Sequence, residues 1–240
     1  MNVLGLIPAR GGSKGIPKKN LQMLGRHPLI VHTICAAQQS KELTHVLVST
    51  DDEEIAETAR NTGVQVPFIR PPEFSSDTAR SVDVAIHALD WLAETQEITP
   101  DYIMLLQPTS PFRTAHDIDG AIQLSERKFA DAVVSITETE EHPYLAKALD
   151  DQGRIYPFIQ NELMPQRRQD LPMVYTLNGA IYLIKTALLR KTRNWCPPHS
   201  LAWIMPPERS LDIDTPWDLR LARLIMQDMQ ILDSNNEESE

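Results

Sequence analysis

Cysteine is nearly absent: the 240-residue chain has two, Cys35 and Cys196, neither in a Cys-x-x-Cys pair nor near a histidine at ligand spacing. That excludes a disulfide framework and a zinc site, points to a reducing cytoplasm, and leads us to expect both thiols buried and inert. Long apolar runs are missing as well. Ala132 to Ile136 is among the longest, far short of a membrane span, so a soluble chain with no membrane partner is expected. The N-terminus lacks the form of a signal peptide, because Arg10 and Gly11 arrive directly after a short apolar stretch with no small-residue cleavage site. Acidic residues are absent from Met1 to Lys41, which holds six Lys or Arg, so the acidic excess behind the net charge of −10 lies downstream. One cationic site on an acidic body argues against a nucleic-acid binder and suits a small anionic ligand. What remains is ordinary globular composition, 42% hydrophobic and 23% charged, at a length that fits one large α/β domain.

Strand and helix patterns alternate through the first half. Val3 to Pro8 reads as a buried strand, and Pro28 to Ser40, with Ile30, Ile34 and Ala37 at helical spacing, as the helix after it. His45 to Ser49 is a second strand, "TDDEEIAETARNTG" a helix with an acidic first turn and a stop at Gly63, and Val64 to Ile69 a third strand. Val82, Ile86, Leu89 and Leu92 share a helical face, and "YIMLLQ", 102–107, has the continuous apolar character of a central parallel strand. The alternation predicts an α/β fold with a doubly wound, mostly parallel sheet. Between 137 and 175 the pattern breaks into prolines, a turn at "DDQGR" and short alternating segments, which reads as an inserted β-rich arm. The α/β pattern resumes at "LNGAIYLIK". It ends in a helix from Pro216 through Trp217, Leu221, Leu224, Ile225 and Leu232, so that 1–136 and 176–232 form the main domain and 233–240 a disordered acidic tail.

The stretch "LIPARGGSKGIPKKN", 6–20, follows the first strand, where open α/β sheets bind phosphates. Gly11, Gly12 and Gly15 allow backbone N–H groups to turn toward phosphate oxygens, while Arg10, Lys14 and Lys19 supply the charge a triphosphate needs. The loop is neither a Walker A motif nor a dinucleotide fingerprint. A flexible surface turn with solvated lysines is the alternative. A cation should accompany a triphosphate, and in "SLDIDTPWD" Asp212 and Asp214 project to the same side of an extended segment and can face one Mg²⁺. Alternatively, one of them only caps the helix entered at Pro216, with Asp218 an exposed carboxylate of its first turn.

Taken together, "IPARGGSKGIPKKN", "VSTDDEEIAE", "RPPEFSSDTARS", "LLQPTSPFRT", "RRQDLP", "NGAIY" and "LDIDTPWDL" occur in the order found in the N-acylneuraminate cytidylyltransferases, or CMP-sialic acid synthetases. The chain resembles this family, whose relatives include enzymes activating legionaminic and pseudaminic acids, from about residue 3 to residue 225. The resemblance implies a Rossmann-like nucleotidyltransferase that transfers CMP from CTP to the anomeric hydroxyl of a nine-carbon 2-keto sugar acid, releasing pyrophosphate, with Mg²⁺ or Mn²⁺ as cofactor. It implies nucleotide contacts from Arg10, Gly11, Ser13, Lys14, Lys19, Asn20, Arg70 and Ser81, with Lys19 at the α-phosphate and Arg10 beside it in catalysis. Asp212 and Asp214 match its metal-binding carboxylates, so a separate histidine base is not required, and His87 and His116 are expected to be structural or exposed. Gln107, Asn178 and Tyr182 match positions lining the sugar pocket, although Tyr182 is equally a strand core aromatic; the "SSDTARS" loop around Asp77 and Ser81 resembles the segment that encloses the base and phosphates, with a helix cap at Asp77 the alternative. Arg168 matches an arginine of the dimerisation arm that reaches the partner's site, where a guanidinium grips the sugar carboxylate, so a homodimer with shared active sites is implied. The chain departs from some sialate enzymes at Thr176, where those carry arginine, which leaves room for a legionaminate-type substrate. Rival readings are the related enzyme for an eight-carbon acid, a glycosyltransferase using Asp212-Ile213-Asp214 to hold a nucleotide sugar, and a non-catalytic nucleotide sensor.

Overall fold

Strand β1 (Val3–Ala9) is buried on both faces, with Val3, Ile7 and Ala9 in one helical layer and Leu4 and Leu6 in the other. That double burial is why the segment reads as an unbroken apolar run. The computed structural model describes residues 1–76, 78–139, 141–159 and 167–237, with backbone alone for Arg168 and 230–237. After β1 come a small ribbon of β2 (Met23–Leu24) and β3 (His27–Pro28), then α1 (Leu29–Gln39), β4 (His45–Thr50) and α2 (Glu53–Arg60). α3 (Ser81–Gln96) leads into β5 (Tyr102–Leu105), and α4 (Ala115–Lys128) into β6 (Ala132–Glu138). A hairpin of β7 (Lys147–Leu149) and β8 (Ile155–Pro157) precedes β9 (Tyr175–Lys185), α5 (Thr186–Thr192), β10 (Leu201–Ile204) and α6 (Pro216–Glu237).

The main sheet has the order β10-β6-β9-β5-β1-β4. β9 is antiparallel to both of its neighbours, and the other pairs are parallel. Helices α1, α2 and α4 pack on one face, α3 and α5 on the other. The chain steps from β1 outward to β4 and then returns to β5 on the opposite side of β1, so the strand order reverses between β1 and β5. In such sheets the crevice beyond the strand ends at the reversal is where ligands bind. Here the loop after β1 and the segment Gln107–Thr109 after β5 border it.

Four expectations change. Val64 to Ile69 forms no strand, only two isolated bridges, Leu47 with Gln65 and Thr50 with Ile69, because Pro67 between them has no N–H for the ladder. α4 and β10 are additional elements that the periodicity does not announce, although Thr114 and Asp117 form a reciprocal capping box at the start of α4. The C-terminal helix continues to Glu237, past the tail expected from 233; Asp, Ser and Asn each lower helix propensity only slightly, and an established helix extends residue by residue. The buried face of α6 carries Leu219 and Ala222, with Trp217, Leu221 and Leu224 exposed. Cys196 is exposed and Cys35 half-buried, Trp195 and Pro197 having taken the interior positions around Cys196.

The segment read as an arm leaves the sheet with β6 and returns with β9, and its hairpin turns at Asp150–Arg154. Its apolar side chains face outward: Leu149, Ile155 and Phe158 are 68%, 69% and 70% exposed.

Candidate active site

The loop after β1 is shaped by contacts to three other segments. The Gly11 N–H donates to Asp51 Oδ1 (3.1 Å) at the end of β4, and a Cβ at Gly11 would sit 2.4 Å from Asp52 Oδ2. Asp52 is itself fixed as the cap of α2, accepting from the N–H groups of Glu54 and Ile55. Gly15 lies on the backbone of Asp214, where a Cβ would come within 2.6 Å of the carbonyl oxygen, whereas Gly12 has open space around it. The Asn20 side chain donates to the Arg10 carbonyl (3.0 Å) and closes the loop at its base. Ile16 joins Phe112, Ile213 and Leu219 in a small apolar cluster that anchors the loop, the Asp212–Asp214 segment and α6 to one another. These contacts favour a built site over a flexible turn.

A cavity of about 400 Å³ opens over this loop. Arg10, Ser13, Lys14, Lys19, Asn20, Arg70, Ser81, Gln107 and Asp214 line it, with Pro8, Phe74, Ala79 and Val84 contributing apolar surface. Lys18 points elsewhere, paired with Glu54 from a left-handed backbone position. Arg70 is buried and fixed by Ser49 O, Ser75 Oγ and Asp51 Oδ1 at 3.1–3.3 Å. Burial holds its guanidinium below the ordinary arginine pKa, with Asp51 opposing and the neighbouring charge of Arg10 adding to the depression. The Ser81 hydroxyl accepts from Trp195 Nε1 (3.0 Å) at the start of α3. Four cationic side chains around one pocket create the field of an anion site.

Asp212 and Asp214 flank Ile213, which is fully buried and whose N–H donates to Thr109 O (2.8 Å) beyond β5. The cap alternative does not hold: Asp218 Oδ2 accepts from the N–H groups of Asp214 and Thr215, and the Asp218 N–H returns to Thr215 Oγ1, so Thr215 and Asp218 cap α6. Asp214 instead accepts from Lys19 Nζ at 3.0 Å, and the same ammonium donates to Ile213 O at 2.9 Å. Asp212 Oδ1 is buried and has no hydrogen-bond partner. Burial, with the charge of Asp214 nearby, raises its carboxyl pKa against the opposing effect of Thr109. A buried acceptor without a donor, beside a second carboxylate, fits a hard divalent cation. No cluster of three or more His, Cys, Asp or Glu exists among the described residues, so two carboxylates are what those residues offer here.

Several sequence-selected residues stand behind the cavity wall. Gly11, Asp212, Asn178 and Tyr182 do not line it, and the side chain of Arg168 lies outside the described residues, as does Asp77. Asn178 is buried and engaged by Ser135 Oγ (2.6 Å), Ser210 Oγ (2.9 Å) and the Ala180 N–H (3.2 Å). It props a wide bulge of β9 in which residues 178–181 lie opposite Ser135 alone. The bulge brings Gly179, at φ +74°, against Gln107 and Asp212, where a side chain would be both strained and crowded. Tyr182 is half-buried near Trp195, with ring centroids 6.4 Å apart, in the core layer that includes α3 and α5. His87, packed between Phe68 and Phe74, and His116, beside Trp203, are also outside the cavity.

Arg113 lies within "LLQPTSPFRT", where the sequence assigns it no role. It is wholly buried, donating to Ala180 O (2.7 Å), Thr33 Oγ1 (2.8 Å) and Gln107 O (3.4 Å), and so ties the end of β5 to the β9 bulge. Burial pulls its pKa down to about 9, with Asp117 opposing. An arginine followed by a helix cap gives no sequence signal for such a clamp.

Known proteins extend this picture. A family profile for cytidylyltransferases matches residues 4–228. The chain is 34% identical over 236 residues to the CMP-N,N'-diacetyllegionaminic acid synthase of Legionella pneumophila, covering 95% of this chain and 97% of that one. It is 36% identical over 217 residues to the N-acylneuraminate cytidylyltransferase of Streptococcus agalactiae, covering 90% of this chain but only 51% of that protein, so the chain spans about half its length. A pseudaminic acid cytidylyltransferase of Campylobacter jejuni is 33% identical, with 94% and 96% covered. Among solved structures, CMP:2-keto-3-deoxy-manno-octonic acid synthetase complexed with CTP superposes with a TM-score of 0.71 at 17% identity, covering 95% of this chain and all of that one, a likeness of fold. With the profile spanning nearly the whole sheet and the cationic loop, the chain belongs to the cytidylyltransferase family.

Proposed function

We propose that the protein is a CMP-nonulosonate synthase, transferring CMP from CTP to the anomeric hydroxyl of a nine-carbon 2-keto sugar acid of the sialic or legionaminic type. The observation that carries this reading is one cavity, at the sheet's reversal point, in which Arg10, Lys14, Lys19 and Arg70 face the Asp214 carboxylate. The hydroxyl oxygen attacks the α-phosphorus, the bond to the bridging oxygen of the β-phosphate breaks, and pyrophosphate leaves in line. Such a transfer depends on positioning and charge neutralisation more than on covalent help from the protein. Arg10, Ser13, Lys14 and Lys19 hold the phosphates and stabilise the departing pyrophosphate, while Asn20 keeps the loop closed around them. Arg70 and Ser81 enclose the nucleotide from the opposite wall. Asp212 and Asp214 would hold Mg²⁺ or Mn²⁺, which supplies Lewis-acid polarisation of the phosphoryl oxygen and acidifies the attacking hydroxyl.

Gln107 faces the sugar, and Asn178 and Tyr182 support the pocket floor from behind, through the bulge and the core. The outward-facing apolar side chains of the hairpin support a dimerisation role for the arm, and Arg168 at its base is the candidate to grip the sugar carboxylate in the partner's site. No helix among the described residues is long and apolar enough to cross a membrane. The two cysteines, neither in a disulfide, suit a reducing cytoplasm. The test is pyrophosphate release by the purified chain with CTP, a divalent cation and a panel of nonulosonic acids. Release that needs all three together is expected. Inert CTP with consumption of a UDP- or GDP-sugar favours a glycosyltransferase, and CTP binding without product favours a sensor.

A further inference from the structure

Lys19 holds two acceptors at once, Asp214 Oδ1 at 3.0 Å and Ile213 O at 2.9 Å. Its side chain is only 15% exposed whereas that of Asp214 is 72% exposed, so the ammonium occupies the sheltered side of the pair. The root of the lysine is fixed: it begins a short 3₁₀ turn, Lys19–Leu21, and Asn20 beside it is bound to the Arg10 carbonyl. The flexible stem can therefore swing without the loop moving. On the other side of Ile213, Asp212 keeps a buried oxygen with no donor. The carboxylate pair is thus neutralised at one end and open at the other.

We propose that Lys19 is a resident stand-in for the divalent cation, exchanging Asp214 for a phosphate of the nucleotide when the metal-nucleotide complex enters. The inference rests on the reading of the cavity as a metal-triphosphate site. An ammonium already on Asp214 repels a second cation placed there, and the low exposure of the lysine limits screening of that repulsion. Among the described residues no third His, Cys, Asp or Glu joins the pair, so two carboxylates leave most of a coordination shell to neutral oxygens and to the triphosphate. The triphosphate is also the anion that can take Lys19 in exchange, because Lys19 lines the same cavity. Cation and nucleotide then depend on each other: without phosphate the lysine stays on Asp214, and with phosphate the carboxylates become available. Metal loading of the empty site is suppressed, and the contact assigned to Lys19 in the reaction forms only in the loaded site.

Binding of Mn²⁺ to the nucleotide-free chain, followed by electron paramagnetic resonance of the free ion, tests the exchange without reference to turnover. Lys19→Met and Lys19→Gln should each bind Mn²⁺ about tenfold more tightly than the unsubstituted protein. The glutamine can still donate to Ile213 O, so tightening in both isolates the charge from the hydrogen bond. Adding Asp214→Asn to either variant should abolish the gain, and CTP should tighten Mn²⁺ binding to the unsubstituted protein more than to Lys19→Met. Mn²⁺ affinities in both variants equal to or weaker than that of the unsubstituted chain overturn the stand-in role. Failure of Mn²⁺ to bind any of these chains even with CTP present overturns both the exchange and the metal site on which it rests.

Discussion

Alanine at Gly15 is the substitution whose outcome follows most directly from the packing of the loop. A Cβ there would lie 2.6 Å from the carbonyl oxygen of Asp214, where ordinary contact begins at 3.4 Å, an overlap of about 0.8 Å with backbone that cannot rotate away. Either the loop or the Asp212–Asp214 segment must shift, and Ile213, buried among Ile16, Phe112 and Leu219, resists the second. Overpacking of this kind costs about 1–3 kcal/mol of stability. Misplacing reacting groups by close to an ångström lowers turnover by about a hundredfold. Gly12, where an added Cβ would meet nothing within 4 Å, provides the internal control. Steady-state pyrophosphate release and thermal melting of Gly15→Ala and Gly12→Ala, side by side, decide the matter. We expect kcat to fall steeply in the first, with a modest drop in Tm, and an unchanged Tm with a smaller loss of kcat in the second. Equal kcat values for the two variants would refute the claim that Gly15 sets the distance between the phosphate loop and the carboxylate segment.

Arg113→Met should lower kcat/KM more than it lowers stability: it leaves the Ala180 carbonyl without its donor, at about 1–3 kcal/mol, but relieves a costly buried charge, and it frees the bulge behind Gln107 to move. A loss of activity no larger than the unfolding of the sample accounts for, measured by kinetics and denaturant titration together, would show a purely structural arginine. Asp117 ties α4 to Arg209 through two bonds of 2.9–3.0 Å; burial raises its pKa, but Arg209 and Thr114 outweigh this and hold it below the ordinary carboxylate value. Its contribution is therefore complete above about pH 4 and fades as pH falls through the lowered value, and Asp117→Asn should remove that part of the acid sensitivity while costing about 2–4 kcal/mol at neutral pH. An unchanged acid limb in the variant contradicts the assignment. Mixing Arg168→Ala with Asp212→Asn subunits should restore some activity, since one composite site then holds both intact residues; with exchange confirmed, no restoration would place Arg168 outside its partner's site.

Which parts of this molecule could be read from sequence follows from how local their causes are. The β1 strand and its loop were legible because double burial writes a continuous apolar run and the cationic, glycine-rich stretch stands directly after it. Asp212 and Asp214 were legible as a pair, but whether either capped α6 depended on Thr215 and Asp218, a choice among neighbouring hydroxyls and carboxylates that spacing leaves open. Strand direction leaves no trace in periodicity, so the antiparallel β9 and its bulge were invisible, and with them the reason for "NGAIY": Asn178 is the prop and Gly179 the close approach. In α6 the apolar residues fall on two stripes, and spacing leaves open which is buried: Leu219 and Ala222 meet the loop cluster while Trp217, Leu221 and Leu224 face outward. Arg113 could not be found at all, since its partners are carbonyls and a threonine distant in sequence.

The most direct test of the account follows the α-phosphorus itself. CTP labelled at the α-phosphate is incubated with the protein, Mg²⁺ and a nonulosonic acid, and the products are separated and identified by mass spectrometry. The account predicts that the label leaves CTP for a conjugate of CMP with the sugar acid, in equal amount to unlabelled pyrophosphate, and that Asp214→Asn stops both. Label that remains in CTP or appears only in free CMP or CDP, with the sugar acid unmodified, would contradict it.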